Sequence, residues 1–140
     1  MIVLDTNVVS ELMKAAPDPG VARWTAQQPA ASLYVTSVTQ AEILYGVSRL
    51  GAGRRRSALE AASTGVFNED FGGRILAFGS EAAQAYARIA AQRERAGHPI
   101  SQFDAQIAAI VFMARATLAT RNVRDYEGCG IKLVNPWDAQ

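Results

Sequence analysis

A three-layer α/β/α fold around a mainly parallel five-stranded sheet is what this chain of 140 residues predicts. Three observations carry that reading. Short β-rich runs alternate along the chain with longer segments of helical periodicity. The first run, Met1 to Leu4, shows no polar alternation, as suits a strand buried on both faces of a parallel sheet. No internal repeat, low-complexity segment or linker breaks the pattern, so residues 1–140 read as one domain, long enough to bury a substantial core.

The elements follow in order. After strand 1 come two short helices, Val8 to Lys14 and Pro19 to Gln28, parted by the break Pro17-Asp18-Pro19-Gly20. Leu33 to Thr36 is strand 2. The helix Thr39 to Leu50 places Ile43, Leu44, Val47 and Leu50 at helical spacing; Gly51 to Gly53 ends it, and Arg54 to Ser63 resumes as helix. Arg74 to Phe78 is strand 3. Ser80 to Ala96 is a long alanine-rich helix with Ser80 as its N-cap and Gly97 past its end. Ser101 to Ala114 is another helix, running directly into strand 4 at Thr117 to Thr120, and Ile131 to Val134 is strand 5. Two consecutive helices join strands 3 and 4, so one of them crosses obliquely; the sequence leaves open which.

Composition narrows the function without naming it. Hydrophobic residues make up 49% of the chain, as in a globular domain. A net charge of +1 gives no bulk case for binding nucleic acid or a membrane surface. Of the 14 basic residues, 12 are arginine, which suits bidentate phosphate contacts but also follows from GC-rich coding. Cys129 is the only cysteine, in the turn-like Gly128-Cys129-Gly130, so neither an internal disulfide nor a cysteine-based zinc site can form. A triad centred on the only histidine, His98, is disfavoured because Gly97 and Pro99 mark a helix-ending loop. There is no basic leader with an apolar core and no apolar run of membrane length, so the cytoplasm is the default.

The acids carry more. In open α/β sheets ligands bind outside the carboxyl ends of the strands, and Asp5 stands where strand 1 runs out. A crossover helix begins at that same edge, which brings Glu42 and Asp104, read as first-turn residues of their helices, to one rim with Asp5. Asn122 and Asp125, just beyond strand 4, arrive there too. A plainer reading competes: Asp5 caps the next helix, Thr39-Gln-Ala-Glu42 fits a capping box, and Ser101-Gln-Phe-Asp104 fits its relaxed form. Each residue alone is compatible with capping; three acids meeting at one edge are harder to explain that way. Two carboxylates about 5 Å apart at an effective dielectric near 20 repel by roughly 3 kcal/mol, so such a rim calls for a cation or for protonation. Carboxylate ligation without histidine or thiolate selects Mg²⁺ or Mn²⁺, ions that activate water for in-line displacement at a phosphodiester.

Four segments, LDTNVVSEL, TSVTQAEILYGV, ISQFDAQIAAI and LATRNVRDYEGCGIKLVNPW, together resemble a PIN-domain ribonuclease, and more narrowly a VapC-type toxin of a toxin–antitoxin pair. The resemblance covers nearly the whole chain, in order and at normal spacing. It implies Asp5, Glu42 and Asp104 as the acidic metal-binding core, with Thr6 or Asn7 supporting Asp5. The family often has an aspartate directly after the Thr-Arg of strand 4. Here that residue is Asn122, which offers a neutral oxygen, while Asp125 three residues on offers a charge; which completes the site stays open. The resemblance further implies endonucleolytic cleavage of RNA, a homodimer, a small antitoxin as partner, and sheet order 3-2-1-4-5; Mg²⁺ is the expected cofactor with Mn²⁺ able to substitute, and no membrane partner is expected.

Arg121 and Arg124 flank the expected site and are the first choices for RNA phosphate contacts. Arg54, Arg55 and Arg56 form the densest basic cluster, equally consistent with a solvated helix start. Surplus apolar residues, Val8, Val9 and Leu12 with Leu44, Tyr45 and Val47, fit ordinary core or an exposed groove; the resemblance favours a groove near the acids that receives a partner helix. Other enzyme classes lack their signatures: neither GxGxxG nor GxxxxGK[ST] follows strand 1, no second aspartate stands at position 7, and strand 3 ends without one. The remaining alternative is a PIN-like module that binds without catalysis.

Overall fold

The computed structural model describes residues 1–139. Five strands, β1 (Ile2–Leu4), β2 (Leu33–Thr36), β3 (Ile75–Leu76), β4 (Thr117–Ala119) and β5 (Lys132–Val134), form one sheet in the order β3-β2-β1-β4-β5. Every pairing is parallel, not merely most of them. The helices are α1 (Thr6–Leu12), α2 (Pro19–Gln27), α3 (Ser37–Ser48), α4 (Arg54–Thr64), α5 (Ser80–Arg95), α6 (Gln102–Ala114) and α7 (Val123–Tyr126). The short α7 and a π-helical extension of α4 over Gly65–Asp70 are additions to the expected elements.

The central strand explains its own composition. Val3 and Leu4 are both fully buried, yet they enter different clusters. Val3 joins Leu118, Ile107, Val111 and the α5 residues Ala85 and Ile89 on one face. Leu4 joins Val8, Val9, Val21, Val35 and Ala119 on the other. Alternate side chains of a strand point to opposite faces, so a strand covered by helices on both sides needs apolar residues at every position. α5 packs along α6, so the two helices that join β3 and β4 form a pair on one face.

Several helix ends differ from expectation because a different residue supplies the cap. Asp5 caps α1, which therefore begins at Thr6, two residues early. Thr36 caps α3 by accepting the Thr39 N–H at 3.0 Å. Thr39 is thus inside the helix, the capping box ending at Glu42 does not form, and Glu42 stands in the second turn. Ser80 is the first residue of α5 rather than its N-cap; Gly79 takes that place with extended backbone and no side chain to offer. Ser101 caps α6 as expected, accepting the Asp104 N–H at 3.2 Å.

α6 ends on Arg115, the only non-glycine residue among those described with positive φ (54°). A side chain in that left-handed region crowds the following carbonyl, whereas glycine does not. Arg115 is exposed, so Arg115→Gly should stabilise the protein by about 0.5–1 kcal/mol, measured by denaturant midpoint at unchanged m-value.

Candidate active site

The site lies at the carboxyl edge of the sheet, where β1 and β4 end side by side. Leu4 pairs with Ala119, so the next residues, Asp5 and Thr120, meet at the rim, and the Asp5 N–H continues the ladder to the Ala119 carbonyl at 2.9 Å. Only 4% of Asp5 is exposed. Four donors lie within hydrogen-bond distance of its carboxylate, one of them a hydroxyl whose single proton is shared with Asp104. Oδ1 takes the Thr6 N–H at 2.9 Å and the Tyr126 hydroxyl at 3.2 Å. Oδ2 takes the Thr120 hydroxyl at 2.8 Å and the Asn7 amide at 3.2 Å. Capping and site geometry therefore coincide in Asp5 instead of competing.

Asp104 reaches the same place from the first turn of α6. Its backbone N–H goes to Ser101, but its carboxylate turns to the Tyr126 hydroxyl, 3.0 Å from Oδ1. One phenol thus lies between two carboxylates. Burial pushes the Asp5 carboxyl from the ordinary 3.8 up to about 6, with the Asp104 charge adding to the rise and the bonds from Thr120, Thr6 and Tyr126 opposing it. Burial, and then the two carboxylate charges, raise the Tyr126 hydroxyl and keep it protonated. Neither acid makes an ion pair with any described residue.

Glu42 is half-buried and stands one step away. Its Oε1 accepts the Thr6 hydroxyl at 2.8 Å, and Thr6 in turn lies 2.9 Å from the hydroxyl of the fully buried Thr39. Since the single Thr6 proton goes to Glu42, Thr39 donates to Thr6. Thr6 therefore supports Asp5 through its backbone and Glu42 through its side chain, while Asn7 supports Asp5 directly.

Asn122 and Asp125 are both exposed. Asn122 precedes α7 without capping it through its side chain, and its N–H goes to the Thr120 hydroxyl at 3.1 Å. The Asp125 carboxylate makes no hydrogen bond to the Asp5–Asp104 pair. Arg121 is set beside the site by its N–H bond to Asn7 Oδ1 at 3.1 Å, but its guanidinium stacks over Trp137, 5.0 Å from the ring centre. Arg124 is exposed on α7.

The expected partner groove is revised. Val8, Val9 and Val47 are buried and Leu12 packs against the same cluster as Val8 and Val9, so these belong to the protein's own packing, whereas Leu44 and Tyr45 are exposed by 42% and 65%. The hollow beside Glu42 and Thr6 is lined by Met13, Ile43, Val47, Leu59 and Arg55.

Among the described residues, no three or more acidic, histidine or cysteine side chains close into a cation cage. The donor set still fits a hard cation. The donors are all oxygen, two carboxylates share one phenol, and Mg²⁺ is commonly held by one or two carboxylates with waters completing the shell. Cys129 does not contribute: its buried sulfur accepts from Arg93 at 3.4 Å, and burial raises its thiol.

A parallel sheet in the order 3-2-1-4-5 with acids from β1, α3 and α6 at its carboxyl edge defines a class of α/β domain. The chain belongs to the PIN domain family, which it matches over residues 2–127. It is 38% identical over 138 residues to VapC ribonuclease Y4jK of Sinorhizobium fredii, covering 99% of each chain. It is 32% identical over 137 residues to the toxin FitB of Neisseria gonorrhoeae, covering 98% of this chain and 99% of FitB. In three dimensions it superposes on a chain of FitAB bound to an IR36 DNA fragment with a TM-score of 0.93 at 31% identity, covering 100% of this chain and 98% of that one.

The raised Asp5 carboxyl has a signed consequence. Because the folded protein holds that proton more tightly than the unfolded chain, Asp5 favours folding fully below pH 4 and loses that advantage as pH rises through about 6. The difference amounts to about 3 kcal/mol. In chelator, the stability of wild type relative to Asp5→Asn should fall by roughly that amount between pH 4 and 7, read from urea midpoints at each pH.

Proposed function

We propose that this chain is a divalent-metal-dependent endoribonuclease, the toxin of a toxin–antitoxin pair, and that Asp5, Asp104 and Glu42 form its catalytic rim. One observation carries the reading above all: Asp5 and Asp104 converge on a single hydroxyl with no cationic side chain against either. Such a pair costs stability and is best explained by a cation that binds there in use. The similarity to a VapC ribonuclease and to the toxin FitB supports the reading.

Asp5 and Asp104 would hold Mg²⁺, or Mn²⁺ in its place. When bound, the ion supplies positive charge to the phosphate and an activated water. The chain's own residues do the rest. Asp5 is locked by four donors, and Asp104 is aimed by Tyr126. Glu42 is fixed through Oε1 only, so Oε2 can orient the attacking water. Asp125 and Asn122, exposed at the rim, complete the site from the substrate side. Arg124 and Arg121 bind RNA phosphates, Arg121 by leaving the Trp137 ring.

A small antitoxin is the partner, its apolar side chains meeting Leu44 and Tyr45, which α3 leaves exposed. The working protein is a homodimer in the cytoplasm. No helix among the described residues is long and apolar enough to cross a membrane.

The direct test is cleavage of structured RNA by purified protein. Cleavage should require Mg²⁺ or Mn²⁺, stop in chelator, and vanish in Asp5→Asn and in Asp104→Asn while both variants stay folded by circular dichroism. Cleavage that persists in chelator, or that Asp5→Asn retains, overturns the assignment.

A further inference from the structure

Tyr126 is among the largest fully buried side chains of the protein, yet its ring ends in a hydroxyl directed at two acids. Ordinary packing would be served as well by phenylalanine, so the hydroxyl calls for its own account. Asp5 has three other donors. Asp104 has none: the bond from Tyr126 is the only hydrogen bond to its half-buried carboxylate among the described residues. Without that tether the Asp104 side chain could leave Asp5 by rotating about its own bonds.

Tyr126 is itself held from behind. Arg93 on α5, 8% exposed, donates from Nη1 to the carbonyls of Asp125 at 2.9 Å and Glu127 at 2.8 Å, the residues on either side of Tyr126. Its Nε donates to the His98 carbonyl at 2.7 Å, tying the same guanidinium to the loop before α6. One buried cation thus clamps both the segment that presents Tyr126 and the loop that leads to Asp104.

From this geometry we infer that Tyr126 is a positioning residue, clamped by Arg93, that holds the Asp104 carboxylate beside Asp5 ready for a divalent cation. The inference rests on reading those two carboxylates as cation ligands. Orienting one side chain in advance removes an ordering cost that binding would otherwise carry, worth about threefold to tenfold in affinity.

The test is Mn²⁺ titration of metal-free protein by calorimetry, comparing wild type, Tyr126→Phe, Arg93→Lys and Asp5→Asn. Phenylalanine keeps the buried ring, and lysine keeps the charge but cannot span three carbonyls. Tyr126→Phe should bind Mn²⁺ about threefold to tenfold more weakly. Its RNA cleavage should fall at limiting Mn²⁺ and recover at excess, with KM for RNA at saturating metal unchanged. Arg93→Lys should weaken Mn²⁺ in the same direction, and it serves as the test should Tyr126→Phe fail to fold.

A merely structural Tyr126 would lower the melting temperature in chelator and leave Mn²⁺ affinity at the wild-type value. That result, or tighter binding, overturns the inference. If Asp5→Asn loses Mn²⁺ while Tyr126→Phe does not, the catalytic reading stands and only this inference falls. If wild type binds no Mn²⁺, both fall.

Discussion

The carboxylate of Asp5 is buried at the end of the central strand, and much of the surrounding structure answers that constraint. A buried charge without hydrogen bonds is costly enough to unfold a domain of this size. Its four donors come from α1, from the residue after β4, and from α7. Satisfying one side chain therefore fixes where α1 starts, sets β4 against β1, and docks α7 over the rim. The donors reduce the cost without cancelling it, since burial still leaves the carboxyl well above its ordinary value. Removing the carboxylate would leave these donors unpaired, so the same group that is costly to bury also organises the elements around it.

Asp104 shows how one residue serves both backbone and site. Its N–H completes the cap at Ser101, while its carboxylate leaves the helix terminus and turns to Tyr126. Capping motifs describe the backbone half of such a residue and say nothing of where the side chain goes. A capping reading and a site reading of one acid are therefore not exclusive, as Asp5 also shows.

The layers and the rim were legible in the sequence because they depend on local pattern. Unbroken apolar strands, helical spacing and the position of acids at element ends place Asp5 and Asp104 together without knowledge of any contact. What was not legible depends on register through space. Thr120 matters only because Leu4 pairs with Ala119, which no neighbour of Thr120 in the chain reveals. Tyr126 could have been noticed as a phenol a few residues beyond strand 4, but its burial depends on α7, a helix too short to read by periodicity. Glu42 was placed one turn early because Thr36, the last residue of β2, outcompetes Thr39 as cap. Val8 and Val9 looked surplus because the second face of β1 also needs a cover, and α1 is that cover.

The three acids are not equivalent, and the difference bears on how a catalytic rim of this kind would work. Asp5 and Asp104 form a braced pair whose geometry is set before any ligand arrives. Glu42 answers to a separate chain of hydroxyls, Thr39 to Thr6, rooted in α3 and α1. On the metal-dependent reading, Asp5 and Asp104 would hold the cation, and its charge would draw the substrate phosphate to the same rim. Cation and RNA would then each strengthen the binding of the other. Glu42 stands outside the braced pair but within one residue's reach of it through Thr6. Thr6 joins the two sets, with its backbone N–H on Asp5 and its hydroxyl on Glu42, so a shift of α1 would move both together.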